Sequence, residues 1–578
     1  MIINIGAQAR HPLAFNQGPD TSRQRRRYSS APVASRFPLG QRSNQGILDC
    51  NSHQRFNTFL PVIFIPALFP LKQVAIMAVI VTIQALTQSP FILAATSLSI
   101  VILYLISRFI YNVFFHPLRS FPGPTSHAMS QIPYIYKSLR GTLEFDILDL
   151  HKTYGDIVRI APNELAISGP GSWKDILGNR RSGEEQLEKF KQYYSPTGGK
   201  KATSIIIADR DDHSRLRRQL AHGFSDKSMR EQEPLITQHI DLLVKRFHER
   251  GRGGSKPFDL TQWYNYATFD VIGDLTFGES FGCLENAYFH PFVKLMLASG
   301  KIAVFLQCLS FFPLAKETFL NLIPMSAMKS QANVAKEKIL RRMQLGIERP
   351  DLIEGLLKKK DEWNMSLDAL SANARLLLVG GSETTATLLC GVTYLLLSNP
   401  QTLERLTAEI RSAFKSEDEI NMSSANDLNY MLACLDEALR VYPPVPLGLP
   451  RVVPKGGCEI SGKFIPEDTV VAVHHWATYH NEKYFTDPFA YHPERFLGDP
   501  KYASDKRDLL QPFHIGPRSC LGRNLAYAEM RLILARLIYN FDMSLAKESA
   551  NWLAKQKVFL FYTKPPLNVY MTPVNSRE

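Results

Sequence analysis

One cysteine of this sequence stands in a fixed frame of neighbours. The segment Phe513-His-Ile-Gly516-Pro-Arg518-Ser-Cys520-Leu-Gly522 places Phe seven residues before Cys520, Gly four before, Arg two before and Gly two after. A single cysteine is most often a small buried apolar side chain, and this is the expectation for the other six cysteines. Four specified neighbours arise by chance about once in 10⁵ cysteines at average residue usage. The frame therefore indicates a cysteine with a chemical role.

The frame resembles the signature of the cytochrome P450 family, Phe-(Gly/Ser)-x-Gly-x-(Arg/His)-x-Cys-x-Gly. His514 departs from this signature, because Gly or Ser is usual there. The difference concerns the turn of the loop and leaves the cysteine in its position. The resemblance implies a haem (heme b) whose iron is ligated axially by the Cys520 thiolate, a ligand that favours cleavage of the O–O bond.

The resemblance also implies roles for the neighbours of Cys520. Phe513 would shield the sulfur from water, and Arg518 would pair with a haem propionate. Gly516 and Gly522 lack a Cβ, so their backbone could approach the sulfur closely. Their N–H groups would then point at the sulfur and tune its potential.

The longest helical pattern runs from Leu367 to Ser398 and ends before an Asn-Pro pair. Gly380 and Gly381 near its middle each cost roughly 1 kcal/mol relative to Ala, so we expect a compensating gain, the close approach of a flat cofactor. Thr384 can donate to the carbonyl of Gly380 and open the helix. The segment is similar to the family's (Ala/Gly)-Gly-x-(Asp/Glu)-Thr-(Thr/Ser) motif, which implies that Thr384 and Glu383 are catalytic and relay protons.

A basic stretch earlier in the chain predicts the start of a helix. His213 and Arg217 are four residues apart and therefore share one helix face. A solvated basic helix is the alternative, and it suits Arg215 and Arg218. The resemblance implies that His213 and Arg217 contact the haem propionates, with Arg451 as a third contact.

A charged network is the fourth motif. Glu437 and Arg440 lie three residues apart on one helix face, a weak pattern by itself. The resemblance implies that Arg495, 25 residues before Cys520, joins them in a buried structural network behind the cysteine loop. The intervening Pro-rich segment cannot be helical, and its residues Val445–Leu449 would line the substrate side of the haem.

The expected fold is mainly α with a minor β-sheet. The chain has 578 residues, for which length alone would suggest about four domains, but no Gly/Ser/Pro-rich linker divides residues 116–578. The resemblance implies one domain there, a haem-binding monooxygenase domain with the cytochrome P450 fold. Residues 155–168 alternate around a Pro-Asn pair and predict a hairpin of its sheet. Seven scattered cysteines without a Cys-x-x-Cys pair argue against a zinc site or a disulfide scaffold.

Two regions precede that domain. Residues 1–57 carry eight Arg against two Asp and lack apolar periodicity, which predicts a disordered basic tail, with a mitochondrial transit peptide as the less favoured reading. Residues 58–115 are a hydrophobic membrane-anchor region, in which Phe91–Phe115 is long enough for one span. Phe59–Leu86 is interrupted by prolines and a lysine, so it is a second span, a re-entrant piece or no part of the mature protein.

Orientation bears on where the protein starts. The resemblance implies an endoplasmic reticulum membrane protein whose catalytic domain faces the cytosol and receives electrons there. A single span would leave the Arg-rich tail in the lumen, against the positive-inside tendency. Two spans or a start at Met77 would each remove the conflict, and we favour the start at Met77.

The expected function follows from the four motifs. It is a haem-thiolate monooxygenase that inserts one oxygen atom of O2 into an apolar small molecule, with electrons from NADPH through a flavin reductase (NADPH-cytochrome reductase). The amino-acid sequence of the hairpin is typical of fungal members, which suggests secondary metabolism of a terpenoid or polyketide. The net charge of +13 fits an acidic protein partner and an anionic membrane. Nucleic acid is not an expected partner, because no basic stripe with interleaved aromatic residues occurs.

Two other classes remain open at this point. A haem-thiolate isomerase or dehydratase would need no O2, but such members often lose the acid–Thr pair that Glu383 and Thr384 preserve. A non-catalytic haem sensor or membrane scaffold would need neither the opened helix at Thr384 nor the mobile apolar lid that the resemblance implies within residues 290–330. NADPH-dependent O2 consumption with the reductase would separate the three classes.

Overall fold

The computed structural model describes residues 77, 90–180, 185–195, 204–322, 326–346 and 348–574, with only the backbone for 326–331. The predictions for residues 1–57 and, apart from Met77, for the first apolar segment lie outside these residues. Pro90–Glu578 forms one compact unit. The domain boundaries expected from the sequence therefore stay predictions.

Helices dominate the described residues, as expected. In chain order they are α1 (Pro90–Ile110), α2 (Thr125–Met129), α3 (Ile132–Arg140), α4 (Leu143–Tyr154), α5 (Ser172–Leu177), α6 (Lys191–Tyr194), α7 (Arg210–Gly223), α8 (Asp226–Arg250), α9 (Leu260–Phe277), α10 (Cys283–Asn286), α11 (Pro291–Leu309), α12 (Pro313–Leu322), α13 (Ser326–Gln344), α14 (Glu354–Lys359), α15 (Leu367–Ser398), α16 (Pro400–Ala413), α17 (Asn429–Val441), α18 (His475–Tyr479) and α19 (Arg523–Asn540).

The strands are short and belong to a minor part of the fold. They are β1 (Ile157–Ala161), β2 (Glu164–Ile167), β3 (Glu188–Lys189), β4 (Phe258–Asp259), β5 (Arg451–Val452), β6 (Cys458–Ile460), β7 (Lys463–Ile465), β8 (Val470–Ala472), β9 (Phe541–Leu545), β10 (Lys557–Val558), β11 (Tyr562–Thr563) and β12 (Asn568–Pro573). A five-stranded sheet has the order β1-β2-β8-β5-β3, and a three-stranded sheet the order β4-β12-β9. The predicted hairpin is confirmed, since β1 and β2 pair antiparallel.

Helix α15 has the bounds that the apolar pattern predicts, Leu367–Ser398. Ser366 caps its N-terminus by accepting a hydrogen bond from the Ala369 N–H over 3.2 Å. The helix ends at Ser398, since Pro400 disfavours a helical conformation of Asn399 before it. The largest apolar cluster of the described residues contains side chains of α8, α9, α15, α17 and α19, so α15 runs through the core.

Helix α1 is a long apolar helix that contains no buried residue. It continues through a π-helical turn, Tyr111–Phe115, so the two elements together match the span predicted over Phe91–Phe115. Three described helices are long and apolar enough to cross a membrane. The windows of α11 and α15 are 33% and 67% buried in the protein, whereas that of α1 and its extension is 0% buried. An apolar helix that the protein leaves uncovered suits a membrane anchor.

Candidate active site

The cysteine loop, residues 513–522, is a tight backbone structure directly before α19. The Cys520 N–H donates to the carbonyl of Phe513 over 2.8 Å, and the Ser519 N–H donates to the carbonyl of Gly516 over 3.1 Å. The Cys520 side chain is exposed, but it faces a cleft inside the protein, and burial raises the pKa of its thiol. The Gly522 backbone N–H and the Arg217 guanidinium act in the opposite direction and lower that pKa.

The two glycines of the frame serve different purposes. Gly516 has a φ of +76°, and an added Cβ would stand 2.0 Å from the carbonyl oxygen of Leu177 at the end of α5. The tight neighbour of Gly516 is therefore α5, not the sulfur as we expected. At Gly522 an added Cβ would be 3.9 Å from Cys520 Sγ, an ordinary contact. The Gly522 backbone N–H lowers the pKa of the thiol, although a side chain would fit at this position.

His514 shows why the family favours Gly at this position. Its φ is +58°, a conformation that residues with a Cβ rarely adopt. The ring lies edge-on to Trp173 and His475, with centroid distances of 5.5 Å and 4.7 Å. Burial lowers the pKa of His514 well below its ordinary value, so the ring is neutral. The loop keeps its turn because this ring fills a packed site.

Arg217 and Arg518 flank the cysteine. Arg217 donates to the Ser519 carbonyl over 2.6 Å and to the Ser519 hydroxyl over 3.1 Å, which fixes the residue before Cys520. Arg518 donates from Nη2 to the carbonyl of Ala208 over 3.2 Å. Its Nη1 is buried and has no partner among the described residues. A buried guanidinium with an unused donor suits an anion that the protein itself does not provide.

Further cations gather around His213. Burial and the charges of Arg518, Lys189, Arg217 and Arg451 lower the pKa of His213 to about 4. Burial, Arg518 and Arg451 lower the pKa of Lys189 to about 6. We call these five residues the cationic cluster. Sequence reasoning missed Lys189, because it lies in a two-residue strand that carries no motif.

The middle of α15 is open on one side. Thr384 Oγ1 donates to the Gly380 carbonyl over 2.6 Å, as predicted. Gly380 is exposed although the helix crosses the core, and an added Cβ there would meet no heavy atom within 4 Å. At Gly381 an added Cβ would stand 2.6 Å from Ile272 Cδ1 of α9. Gly380 therefore leaves room for a cofactor, whereas Gly381 allows α9 and α15 to pack closely.

Glu383 has a partner from outside α15. Its carboxylate is buried, and Oε1 forms an ion pair with the buried Lys564 ammonium group. Lys564 Nζ also donates to Thr387 Oγ1 over 2.8 Å. Lys564 is a second functional candidate that the sequence did not reveal, because a lysine 181 residues after Glu383 carries no spacing signal.

The network behind the cysteine loop has the members that we predicted. Arg440 makes a two-pronged contact with Glu437, with distances of 2.7 Å and 2.8 Å, and Arg495 Nε reaches the same carboxylate at 3.1 Å. All three side chains are 0% exposed. Arg440 also donates to the carbonyls of Tyr479 and Pro488 at 3.0 Å and 2.6 Å. Donors and acceptors match, so the network ties α17 to the segments before the loop.

These residues fit a haem. Cys520 would supply a soft sulfur ligand at the cleft, and the positive charges of the cationic cluster would suit two propionates. Gly380 exposes a flat stretch of helix. A mainly helical fold that carries these features defines the class of haem-thiolate enzymes.

Comparison with known proteins agrees with that class. The cytochrome P450 family model matches residues 122–571. The cytochrome P450 monooxygenase prhB of Penicillium brasilianum is 45% identical over 82% of this chain and 97% of that protein. The monooxygenase tpeC of Talaromyces stipitatus is 47% identical over 84% and 95%. The trichothecene C-15 hydroxylase of Fusarium sporotrichioides is 43% identical over 81% and 96%.

The chain therefore belongs to the cytochrome P450 family. It is an oxidoreductase, a monooxygenase of the fungal type, and the family implies a haem with a cysteine thiolate on the iron, O2 as co-substrate and a redox partner. The apolar helix α1 agrees with a membrane anchor.

Proposed function

We propose that this enzyme binds heme b through Cys520 and inserts one oxygen atom of O2 into an apolar small molecule of fungal secondary metabolism, such as a terpenoid or polyketide. The observation that carries the proposal is the cysteine loop. Its sulfur faces the cleft, and the Gly522 backbone N–H and the Arg217 guanidinium oppose the rise in thiol pKa that burial causes, so both groups favour the thiolate form that a metal ligand requires. The trichothecene and averantin hydroxylases among the relatives support a substrate of this kind.

The reaction requires protons as well as electrons. When bound, the haem activates O2 and performs the insertion. One oxygen atom enters a C–H bond of the substrate, and the other leaves as water with two protons from solvent and two electrons from NADPH. The protein's part is to hold Cys520, to exclude bulk water, and to deliver those protons. Thr384 Oγ1, fixed on the open side of α15, is the group that we assign to hold the last proton donor.

The cationic cluster would hold the two propionates. Arg518 Nη1 is buried and has no partner among the described residues, so it has a donor to spare. Lys189 has a pKa of about 6, and the negative charge of a propionate beside it would favour its protonated form. His213 has a pKa of about 4 and is neutral at pH 7, so it contributes a hydrogen bond and no charge. Arg217 holds the backbone beside Cys520 and would reach a propionate from there.

The substrate wall would come from the Pro-rich segment before β5. Leu447 is buried and Val445 and Leu449 are half-buried, and all three are apolar. Apolar side chains at the cleft favour an apolar substrate, because contact between the two apolar surfaces removes both of them from water.

We assign the enzyme to the endoplasmic reticulum membrane, anchored by α1, with the catalytic domain in the cytosol. NADPH-cytochrome reductase would supply the electrons there. Four basic side chains near the cysteine loop and α7 are exposed and suit an acidic docking surface, namely Arg215, Lys506, Arg507 and Arg523.

The test is a turnover assay with purified reductase, NADPH and isotopically heavy O2. Candidate substrates are first chosen from apolar metabolites that shift the Soret band of the ferric enzyme. We expect one heavy oxygen atom in the product and no product without O2. Product formed under anaerobic conditions without NADPH would instead support the isomerase or dehydratase reading, which the intact Thr384–Gly380 contact disfavours.

A further inference from the structure

A buried ion pair links the C-terminal segment to the acid of α15. Lys564 and Glu383 side chains are 6% and 7% exposed, and Lys564 Nζ contacts Glu383 Oε1. Lys564 also donates to Thr387, which lies four residues after Glu383 on the same helix face. Two contacts on one face fix the ammonium group, and with it the direction of the Glu383 carboxylate.

The pair borders a cavity. It has a volume of about 440 Å³ and lies between α9, α11, α15 and the loop after β10. Two buried oxygen atoms of its lining, Glu383 Oε2 and Asn265 Oδ1, have no partner among the described residues. Asn265 is 4% exposed and Glu383 is 6% exposed. Most of the lining is apolar, and these two unused acceptors mark the part of the cavity that suits ordered water.

The ammonium group of Lys564 is a charge partner of the buried Glu383 carboxylate. A buried carboxylate needs such a partner, because burial disfavours the ionised form. Glu383 Oε2, which has no partner among the described residues, borders the cavity and can accept a hydrogen bond from water there. Glu383 lies one residue before Thr384, whose hydroxyl is fixed on the open side of α15.

We infer that Lys564 is a positioning residue for proton delivery, which holds Glu383 toward this cavity so that protons enter the active site from the α9 side. The inference rests on the proposed function, since it concerns how that reaction receives its protons. The proton moves from a water molecule of the cavity to Glu383 and then toward Thr384. The solvent replaces the proton that the water molecule has lost, and Lys564 itself is not consumed. An ion pair that only stabilises the fold is the alternative.

The first experiment compares three variants of the holoenzyme at equal haem content. Lys564→Met should lower the product formed per NADPH about tenfold, the size of effect that the loss of an orienting partner produces. Lys564→Arg should restore much of the ratio, because a guanidinium also pairs with a carboxylate. The control, Lys557→Met, removes an exposed lysine of β10 in the same C-terminal region and should leave the ratio unchanged. A wild-type ratio in Lys564→Met overturns the inference.

The second experiment needs no turnover. We expect the infrared spectrum of Lys564→Met at pH 7 to contain a protonated carboxyl band that the wild type lacks and that disappears in the Glu383→Gln/Lys564→Met double variant. If that band appears while the ratio is unchanged, the pair is only structural and the inference fails. If the wild type makes no product at all, the proposed function fails. The inference is then tested by the share of NADPH electrons that is recovered as hydrogen peroxide, compared between Lys564→Met and the wild type. An equal share overturns the inference, and a larger share in the variant supports it.

Discussion

The two sides of the cleft handle charge in opposite ways. Behind the cysteine loop, Glu437 meets Arg440 and Arg495, and the guanidinium groups donate further to backbone carbonyls. In the middle of α15, Thr384 turns its hydroxyl back to Gly380, and Glu383 keeps one buried oxygen atom without a partner among the described residues. The first region is saturated with hydrogen bonds, and the second leaves polar atoms available.

The difference follows from what each region must do. A sulfur ligand has to stay in one position, which a saturated network provides. A proton route needs groups that can change partners, so unused acceptors and an opened helix are suitable there. We therefore expect substitutions in the first region to reduce stability and haem retention, and substitutions in the second to reduce the yield of product.

The largest effect is expected from Arg440→Met. The change leaves the buried Glu437 carboxylate with one cation fewer, and breaking a buried pair in this way costs about 3–5 kcal/mol. We expect little folded, haem-loaded protein, measured as Soret absorbance per protein. Arg405→Met is the control, because Arg405 pairs with Glu494 at the surface and should matter by less than about 1 kcal/mol. Equal haem content in both variants would contradict the account of the network.

Thr384→Ala should act on yield and not on folding. Loss of a positioned proton donor typically lowers the assisted step by at least about 10²-fold, so electrons should leave as hydrogen peroxide. We expect NADPH oxidation to continue while the product formed per NADPH collapses. Thr384→Ser keeps the hydroxyl and should keep most of the ratio. An unchanged ratio in the alanine variant would place proton delivery elsewhere.

The two adjacent glycines of α15 give a matched pair of variants. Gly381→Ala would bring a Cβ to within 2.6 Å of Ile272 and should lower the free energy of unfolding by roughly 1–3 kcal/mol. Gly380→Ala meets open space and gains helix propensity, so stability should be kept or rise by up to about 1 kcal/mol. Its methyl group enters the cleft and should alter the Soret spectrum. Chemical denaturation of both variants measures the contrast, and equal destabilisation would refute it.

Glu164 extends the comparison with Glu437, because it is a buried carboxyl group without an arginine partner among the described residues. Burial raises its pKa from 4.5 to about 7, while the hydrogen bond from Gln131 lowers it slightly. The folded state therefore keeps the proton over a range where the unfolded chain has lost it, and stability falls as pH rises from about 4.5 through 7. Glu164→Gln removes this penalty, so the variant should gain roughly 2–3 kcal/mol at pH 8 and little at pH 4. A constant difference between these pH values would contradict the assignment.

The sequence predicted the elements that have local signals. The bounds of α15, the β1–β2 hairpin and the Thr384–Gly380 contact follow from apolar periodicity, turn residues and a four-residue spacing. The reasons for particular residues were harder to predict. Gly516 is required by the carbonyl of Leu177, and Lys564 reaches Glu383 from near the C-terminus. Both contacts join segments far apart in the chain, and no spacing in the sequence records them.

The most direct test of the central claim is the carbon monoxide spectrum of the reduced enzyme. Cys520→Ser, reconstituted with haem, should lack the long-wavelength Soret band, because only a thiolate ligand produces it. Cys458→Ser, which changes a half-buried cysteine of β6, should keep the band and shows that cysteine loss alone is harmless. If Cys520→Ser retains the long-wavelength band at equal haem content, another residue ligates the iron and the account of this site is wrong.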